Sequence, residues 1–160
     1  MELKEIMEAF AAETGLAGLA ADGNGIYALS IDEMTVSFAE DREAGRLVTF
    51  AVVGDPPAEG REGFYQLLLE TMYRGEATGG ATFSMLPDAG QICLQRFDAL
   101  ASMDLAGFKA MLESFVNVLE DWKKSLADFR EISPSLNAAK SEKAAEAREL
   151  GLGKNGFMQV

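Results

Sequence analysis

The chain has 160 residues, of which 48% are hydrophobic and 25% charged, a composition that fits one folded soluble domain with some additional length. No apolar run approaches the ~20 residues that a membrane-spanning helix requires. The acidic residues after Met1 lack the basic-then-apolar layout of a signal peptide. Cys93 is the only cysteine, which excludes an intramolecular disulfide bond. We therefore expect a cytoplasmic protein.

The charge is strongly negative, with 14 basic and 26 acidic residues and a net charge of -12. Residues 1–132 hold 10 basic and 23 acidic residues, a difference of -13, whereas residues 133–160 hold 4 and 3. The acidity therefore belongs to the body of the protein. Nucleic-acid binding needs clustered Lys and Arg, and anionic membrane surfaces repel an acidic body in the same way. We expect neither nucleic acid nor membrane as a partner.

The first third of the chain predicts one helix and three strands. A helix is indicated by apolar residues spaced three or four apart, namely Leu3, Ile6, Met7 and Phe10, and Gly15 is a stop signal. The period then changes to two over residues 25–31 and 34–39, which predicts a hairpin with Asp32 and Glu33 at its turn. A third strand is predicted from Arg46 to Val53, before Gly54 and two prolines.

A second helix is predicted over residues 61–74, and it is apolar on nearly every side. A helix of this kind must be buried on more than one side. One sheet covers only one side, so we expect a second copy of the chain to cover the other. The alternative is a helix buried within one oversized core. The predicted dimer-interface residues are Phe64, Tyr65, Leu68, Leu69, Met72 and Tyr73.

The remaining elements are two strands and a long helix. Strands over residues 81–86 and 91–97 flank a turn at residues 87–90, and a helix begins after Asp104, a good N-cap. The heptad stripe of this helix could form a coiled coil, but Met111, Val116 and Val118 widen the stripe and favour packing on the sheet. Ser133 and Pro134 are predicted to end the domain at residue 132. Residues 133–160 are predicted to form a mobile or weakly helical C-terminal extension.

The predicted order α-β-β-β-α-β-β-α indicates an α+β fold, in which helices pack on a twisted antiparallel sheet. The sequence gives little indication of an enzyme. The chain has no histidine, which excludes Ser-His and Cys-His catalysis and an imidazole metal site. Cys93 lies within a predicted strand and fits a small core residue. We predict no catalytic, cofactor-binding or metal-binding residue.

In this order, the elements resemble the class I type III secretion chaperones, the family that includes the Tir chaperone. The resemblance runs from about Leu3 to Phe129. It depends on Phe10 followed by residues 14–16, the hairpin of residues 27–36, the Leu-rich helix of residues 64–72, the turn at residues 88–90 with the strand at 92–94, and a last helix with Phe115, Val116 and Trp122. Two features depart from the family pattern: Asp32-Glu33 stands where Asp-Gly is common, and the chain continues far beyond Ser133.

The resemblance implies a homodimer in a bacterial cytoplasm, with the second helix and the following strand at its interface. It also implies that the dimer binds the N-terminal region of a secreted effector protein in an extended form, through surface patches and sheet edges. Apolar residues of the first helix and first three strands are the candidate effector-binding residues: Leu3, Met7, Tyr27, Leu29, Met34, Phe38 and Phe50. The alternative function is a small-ligand-binding or sensory domain of profilin-like or PAS-like form.

Overall fold

The structure is a computed structural model that describes the backbone of residues 2–149 and the side chains of residues 2–130. Within these residues, three α-helices and five strands follow the predicted order, which confirms the α+β fold. The elements are α1 (Leu3–Thr14), β1 (Tyr27–Ile31), β2 (Met34–Asp41), β3 (Arg46–Gly54), α2 (Arg61–Thr71), β4 (Thr82–Met85), β5 (Ile92–Ala99) and α3 (Leu105–Glu149). Short 3-10 turns at Tyr73–Gly75 and Leu100–Ser102 follow α2 and β5.

The five strands form one antiparallel sheet with the order β1-β2-β3-β5-β4. The predicted hairpin is confirmed, because Ile31 pairs with Met34 and leaves Asp32 and Glu33 as the turn. Asp32 takes a left-handed conformation with φ 52, which short polar residues tolerate better than most. The connection from β3 to β4 passes over the position of β5 and contains α2. Strands β1 and β4 are therefore the two edges of the sheet.

One face of the sheet carries the hydrophobic core, and α1 and α3 pack against it. The alternation of β2 places Val36 and Phe38 on this face, where both are fully buried. Phe108 of α3 joins the layers, because its ring lies 5.4 Å from that of Phe10 in α1 and 5.3 Å from that of Phe38. Each such buried side chain contributes roughly 1.5–3 kcal/mol by removal of apolar surface from water. This cluster fixes both helices on the same side of the sheet.

The ends of the helices follow local sequence signals. Gly15 ends α1 with φ 72, as predicted, and its N–H donates to the carbonyl of Ala11. Asp104 is confirmed as the N-cap of α3, because its Oδ1 accepts a hydrogen bond from the N–H of Gly107 at 2.7 Å. The predicted stripe of α3 faces the sheet, which favours packing over a coiled coil: Phe108, Leu112, Phe115, Leu119 and Leu126 are all buried.

The end of α2 differs from the prediction, and α3 extends into the predicted C-terminal extension. Helix α2 ends at Thr71 and not at residue 74, because Arg74 and Gly75 both have positive φ and turn the chain away. The backbone of α3 continues through Ser133 and Pro134 to Glu149. A proline inside a helix removes one hydrogen bond, but the Ala, Glu and Lys residues that follow have high helix propensity. The domain boundary at residue 132 and a mobile extension stay predictions, and residues 150–160 lie outside the described part of the chain.

Thr49 of β3 offers a test of the core, because it is a polar residue in a fully buried position. Its hydroxyl donates to the sulfur of Met111 at 3.7 Å, and a thioether is a weak acceptor. Thr49→Val keeps the shape and removes the buried hydroxyl, so we expect the free energy of unfolding in urea to stay unchanged or rise by up to ~1 kcal/mol. Thr49→Ser, which removes the methyl group, should lower it by about 1 kcal/mol. If Thr49→Val lowered the free energy of unfolding by about 1 kcal/mol as well, the hydrogen bond to Met111 would contribute more to stability than a weak acceptor allows.

Candidate protein-binding site

The seven candidate effector-binding residues divide into a buried group and a half-buried pair. Five of them belong to the core and are at most 7% exposed: Leu3, Met7, Leu29, Met34 and Phe38. These five shape the surface from beneath and offer a partner little contact area. Tyr27 at the start of β1 and Phe50 in the middle of β3 are half-buried. The candidate binding role therefore rests on Tyr27 and Phe50.

Phe50 belongs to the face of the sheet opposite the core helices. Along β3, Leu47, Thr49 and Ala51 are buried towards the helices, so the alternate residues point the other way. These alternate residues are apolar as well, and with Phe97 of β5, which pairs with Val48, they form what we call the open sheet face: Val48, Phe50, Val52 and Phe97. Val52 is 38% exposed and Phe97 43% exposed. A continuous apolar strip thus crosses the two central strands.

Arg46 forms a charged margin to the open sheet face. Its guanidinium carbon lies 4.4 Å from the centre of the Phe97 ring, and its Nε donates to Oδ2 of Asp41 at 2.9 Å. The N–H of Ala44, followed by Arg46, holds the pKa of Asp41 below its ordinary value. The pair therefore stays ionised at neutral pH, and the Arg46 side chain covers part of an otherwise exposed aromatic ring.

A second apolar depression lies beside the edge strand β1. We call it the β1-edge groove, and its apolar walls come from α1, β1 and α3: Phe10, Ile31, Leu112 and Val116. Lys109 also lines it and forms an ion pair with Glu13. Within residues 2–149, no strand pairs with the outer edge of β1. The groove therefore adjoins backbone groups that are available to a further strand.

Helix α2 has two apolar sides, and only one of them is covered. Phe64 and Leu68 are buried, and the Phe64 ring lies 5.2 Å from that of Phe129 in α3. In contrast, Leu69 is 66% exposed and Tyr73 is 78% exposed. The alternative of a helix buried in one oversized core is therefore wrong. Of the six predicted interface residues, Phe64 and Leu68 hold the helix to its own chain, and the other four remain candidates for the interface.

The outer side of α2 continues onto strand β4. The sulfur of Met72 accepts a hydrogen bond from the N–H of Phe83 at 3.0 Å, which ties the end of the helix to the strand. Met85 of β4 is 45% exposed beside them. We call this surface the α2–β4 face and define it by its accessible apolar residues: Tyr65, Leu69, Met72, Tyr73 and Met85.

Sequence reasoning missed four residues of the open sheet face and the α2–β4 face: Val48, Val52, Met85 and Phe97. For β3 a signal was present, since Leu47 to Val53 is apolar at nearly every position and not only at alternate ones. Such a strand is apolar on both faces, and a sheet with helices on one side leaves the second face uncovered. Phe97 follows from the same argument once its pairing with Val48 is known. Nothing in the sequence distinguishes Met85 from a core methionine.

Neither a cluster of metal-ligand residues nor a membrane-spanning helix occurs in the described part of the chain. Among the residues with described side chains, no three Cys, Asp or Glu residues lie close enough to hold a metal ion. None of the described helices is long and apolar enough to cross a bilayer. A cavity of about 400 Å³ lies at the start of α1, with mixed polar and apolar walls that include Lys4, Tyr27 and Glu40. Its size and mixed lining are those expected of a site for a small ligand.

The family to which the chain belongs distinguishes a protein-binding function from a small-ligand-binding one. The model of the Tir chaperone protein (CesT) family matches residues 5–123, which include every strand of the sheet and all three apolar surfaces described above. The chain belongs to the CesT family. The expected resemblance to the type III secretion chaperones is thereby confirmed. No curated protein sequence is significantly similar to this CesT-family chain.

Solved structures agree with this assignment. A chain of the ExsC–ExsE complex is 25% identical, with a TM-score of 0.68, over 79% of this chain and 97% of that chain. A chain of the HopA1–SchA chaperone–effector complex is 15% identical, with a TM-score of 0.65, over 76% and 92%. A chain from the complex of the Yersinia pestis type III secretion chaperone SycH with a fragment of YscM2 is 22% identical, with a TM-score of 0.57, over 74% and 97%. The last two similarities show that the CesT fold is shared.

Cys93 gives a pH-dependent test of this fold. Burial raises the pKa of the Cys93 thiol above its ordinary value of 9.0. The unfolded chain therefore ionises first, and the free energy of unfolding should fall as the pH rises above 9. Cys93→Ala should remove this part of the pH dependence. The folded protein should also react with a thiol reagent at pH 8 much more slowly than the protein in denaturant. Equal rates would show that the thiol is accessible.

Proposed function

We propose that this protein is a type III secretion chaperone that binds the N-terminal region of a secreted effector in the bacterial cytoplasm. It holds that region in an extended form and keeps the effector competent for secretion, without catalysing a reaction. The observation that carries the proposal is the match of the chaperone family to residues 5–123. The HopA1–SchA structure is a chaperone–effector complex, and that of SycH contains a fragment of YscM2, so proteins of this fold hold polypeptide partners.

The exposed apolar surfaces fit this function. Scattered exposed apolar residues are normal on soluble proteins, but a contiguous strip indicates a contact surface. The open sheet face and the β1-edge groove lie in the part of the fold that the family pattern assigns to the effector. A partner held in extended form has few internal contacts, so its affinity must come from buried apolar side chains and main-chain hydrogen bonds. The open sheet face offers apolar contacts, and the edge of β1 beside the groove offers main-chain hydrogen bonds.

The β1 edge is suited to strand addition. A segment of the partner that pairs with β1 would send alternate side chains towards the β1-edge groove, where Ile31 and Leu112 are apolar contacts. At ~25 cal/mol per Å², a side chain that buries about 100 Å² contributes roughly 2.5 kcal/mol before the cost of ordering the segment. Several such anchors, together with main-chain hydrogen bonds to β1, would be needed to offset the cost of association. Tyr27, at the other end of β1, would contact the same segment.

The α2–β4 face is assigned to a second copy of the chain. Homodimers are typical of this family, and the exposed side of α2 is the one that the sequence predicts to be covered. Leu69 and Tyr73 project from it, and Met85 extends it onto the edge strand β4. A two-fold dimer would bury both copies of this surface against each other. It would also cover the edge of β4.

Leu69→Lys tests the dimer. Wild-type protein should have roughly twice the chain mass of 17.2 kDa in light scattering. The variant should have the mass of a single chain at micromolar concentration, because a buried lysine without a partner at the interface costs several kcal/mol. The matched control is Leu16→Lys, since Leu16 is 40% exposed outside the α2–β4 face. It should remain a dimer. A wild-type protein that is monomeric at all concentrations would refute the dimer.

Val52→Lys tests the partner surface. The probe is the N-terminal segment of a protein that co-purifies with the chain from its native cytoplasm, produced recombinantly. The segment should be sensitive to protease alone and protected when bound to the chaperone. Val52→Lys should weaken its binding about tenfold or more, which is ~1.4 kcal/mol, in calorimetry. The control Ser125→Lys, at an exposed position of α3, should bind like the wild type.

The two arms separate two failures. If no secreted protein yields a segment that the wild type binds, the proposed function is wrong. If the segment binds the wild type and Val52→Lys equally well, while circular dichroism shows that both are folded, the function stands. In that case only the assignment of the open sheet face is wrong.

A further inference from the structure

The turn after α2 contains an arginine in a backbone conformation that favours glycine. Arg74 has φ 64 and ψ -3, which is the left-handed region. It is one of two non-glycine residues with positive φ among the described residues, the other being Asp32. Asp tolerates this region through its short polar side chain, whereas a long side chain gains nothing from it. The backbone at Arg74 is therefore strained.

The surrounding contacts explain why the backbone keeps this conformation. The N–H of Gly75 donates to the carbonyl of Met72 at 3.0 Å, and the N–H of Gly80 donates to the carbonyl of Gly75 at 2.9 Å. Met72 is in turn bound to β4 through the N–H of Phe83. The turn is thus fixed both to α2 and to the segment that leads into β4. Its conformation is set by these hydrogen bonds and would suit a glycine at position 74 better.

Nothing among residues 2–130, whose side chains the structure describes, accounts for an arginine at this position. The contact of its guanidinium in the described structure is with Glu76, at 3.6 Å, and the two side chains are 70% and 80% exposed. An ion pair that is this long and this exposed contributes little to stability. Strain that is maintained without a local benefit is typical of functional sites. We therefore look for the benefit of Arg74 in a contact outside these described residues.

Arg74 stands at the border of the α2–β4 face, directly after the exposed Tyr73. Two copies that meet through this face each carry a net charge of -12 and repel one another. A cation at the border would meet a carboxylate of the other copy, and Glu70 and Glu76 lie exposed on the same surface. Two-fold symmetry would form such a pair twice. An arginine that extends from a fixed turn is well placed for this contact.

We propose that Arg74 is a recognition residue of the dimer, whose guanidinium pairs with a carboxylate of the second copy. The proposal rests on the dimer of the proposed function and identifies what makes its interface selective for another copy of this chain. The strained backbone places the charge at the border of an apolar surface. The pair offsets part of the repulsion between two acidic bodies.

Arg74→Gly separates strain from recognition, because the two effects have opposite signs. In the monomeric Leu69→Lys background, the glycine should raise the melting temperature by about 2–4 °C, since it relieves the backbone strain. With Leu69 restored, the same substitution should raise the dimer dissociation constant about tenfold in analytical ultracentrifugation at low salt. This difference from the wild type should shrink at high salt, because salt screens charge pairs.

Three further variants act as controls. Asp32→Gly introduces glycine at the other non-glycine position with positive φ, in the β1–β2 turn, and it should leave the dimer dissociation constant unchanged. Lys124→Gln, at an exposed position of α3, lowers the net charge by one as Arg74→Gly does, and it should leave the dissociation constant unchanged. Arg74→Lys keeps the cation and should dimerise within a few-fold of the wild type.

The outcomes distinguish this inference from the function on which it rests. A wild-type dimer that Arg74→Gly leaves equally tight at low salt overturns the role of Arg74 and leaves the chaperone function intact. A weakening that does not depend on salt, or that Lys124→Gln reproduces, overturns the charge pair as its cause. A wild-type chain that never dimerises overturns the dimer itself, whereas binding of an effector segment is measured independently.

Discussion

The packing of Phe108 between Phe10 and Phe38 is the contact on which the rest of the structure depends. It brings α1, α3 and the sheet together at one point and places both helices on one side of the sheet. Ile6 and Phe115 extend the same core and are fully buried. The consequence lies on the other side. Because both helices lie on one face of the sheet, they leave apolar residues of the opposite parity, such as Val52 and Phe97, partly exposed on the second face.

The open sheet face and the α2–β4 face of this chaperone both follow from that arrangement, but in different ways. The open sheet face exists because β3 is apolar at both parities, so that Val48, Phe50 and Val52 lie opposite the core. The α2–β4 face exists because α2 connects β3 to an edge strand that is not its neighbour, and it therefore lies at the end of the sheet. There Phe64 can reach Phe129 of α3, but Leu69 on the opposite side of the helix is left 66% exposed.

The order of elements could be predicted from local signals, because periods of two and of 3.6 and the turn residues depend on nearby residues alone. That α2 is apolar on two sides was also predictable, since Leu69 and Tyr73 lie outside the single apolar stripe that packs on the chain's own core. The face of the sheet on which each strand residue lies was not predictable. Met34 and Phe50 look alike in the sequence, but one is core and the other is surface, and only the register with neighbouring strands separates them. The predicted end of α2 was also wrong, because the positive φ of Arg74 and Gly75 turns the chain away before residue 74.

The positions of the β1-edge groove and the α2–β4 face determine whether the chain can bind a second copy and an effector at the same time. The order β1-β2-β3-β5-β4 places the β1-edge groove and the α2–β4 face at opposite edges of the sheet. With strands about 4.8 Å apart, the four intervals between β1 and β4 separate them by roughly 19 Å. A second copy on β4 therefore leaves β1 free, and the open sheet face on β3 and β5 lies between the two. A dimer assembled in this way presents two β1 edges on its outside, so that one extended polypeptide can contact both copies.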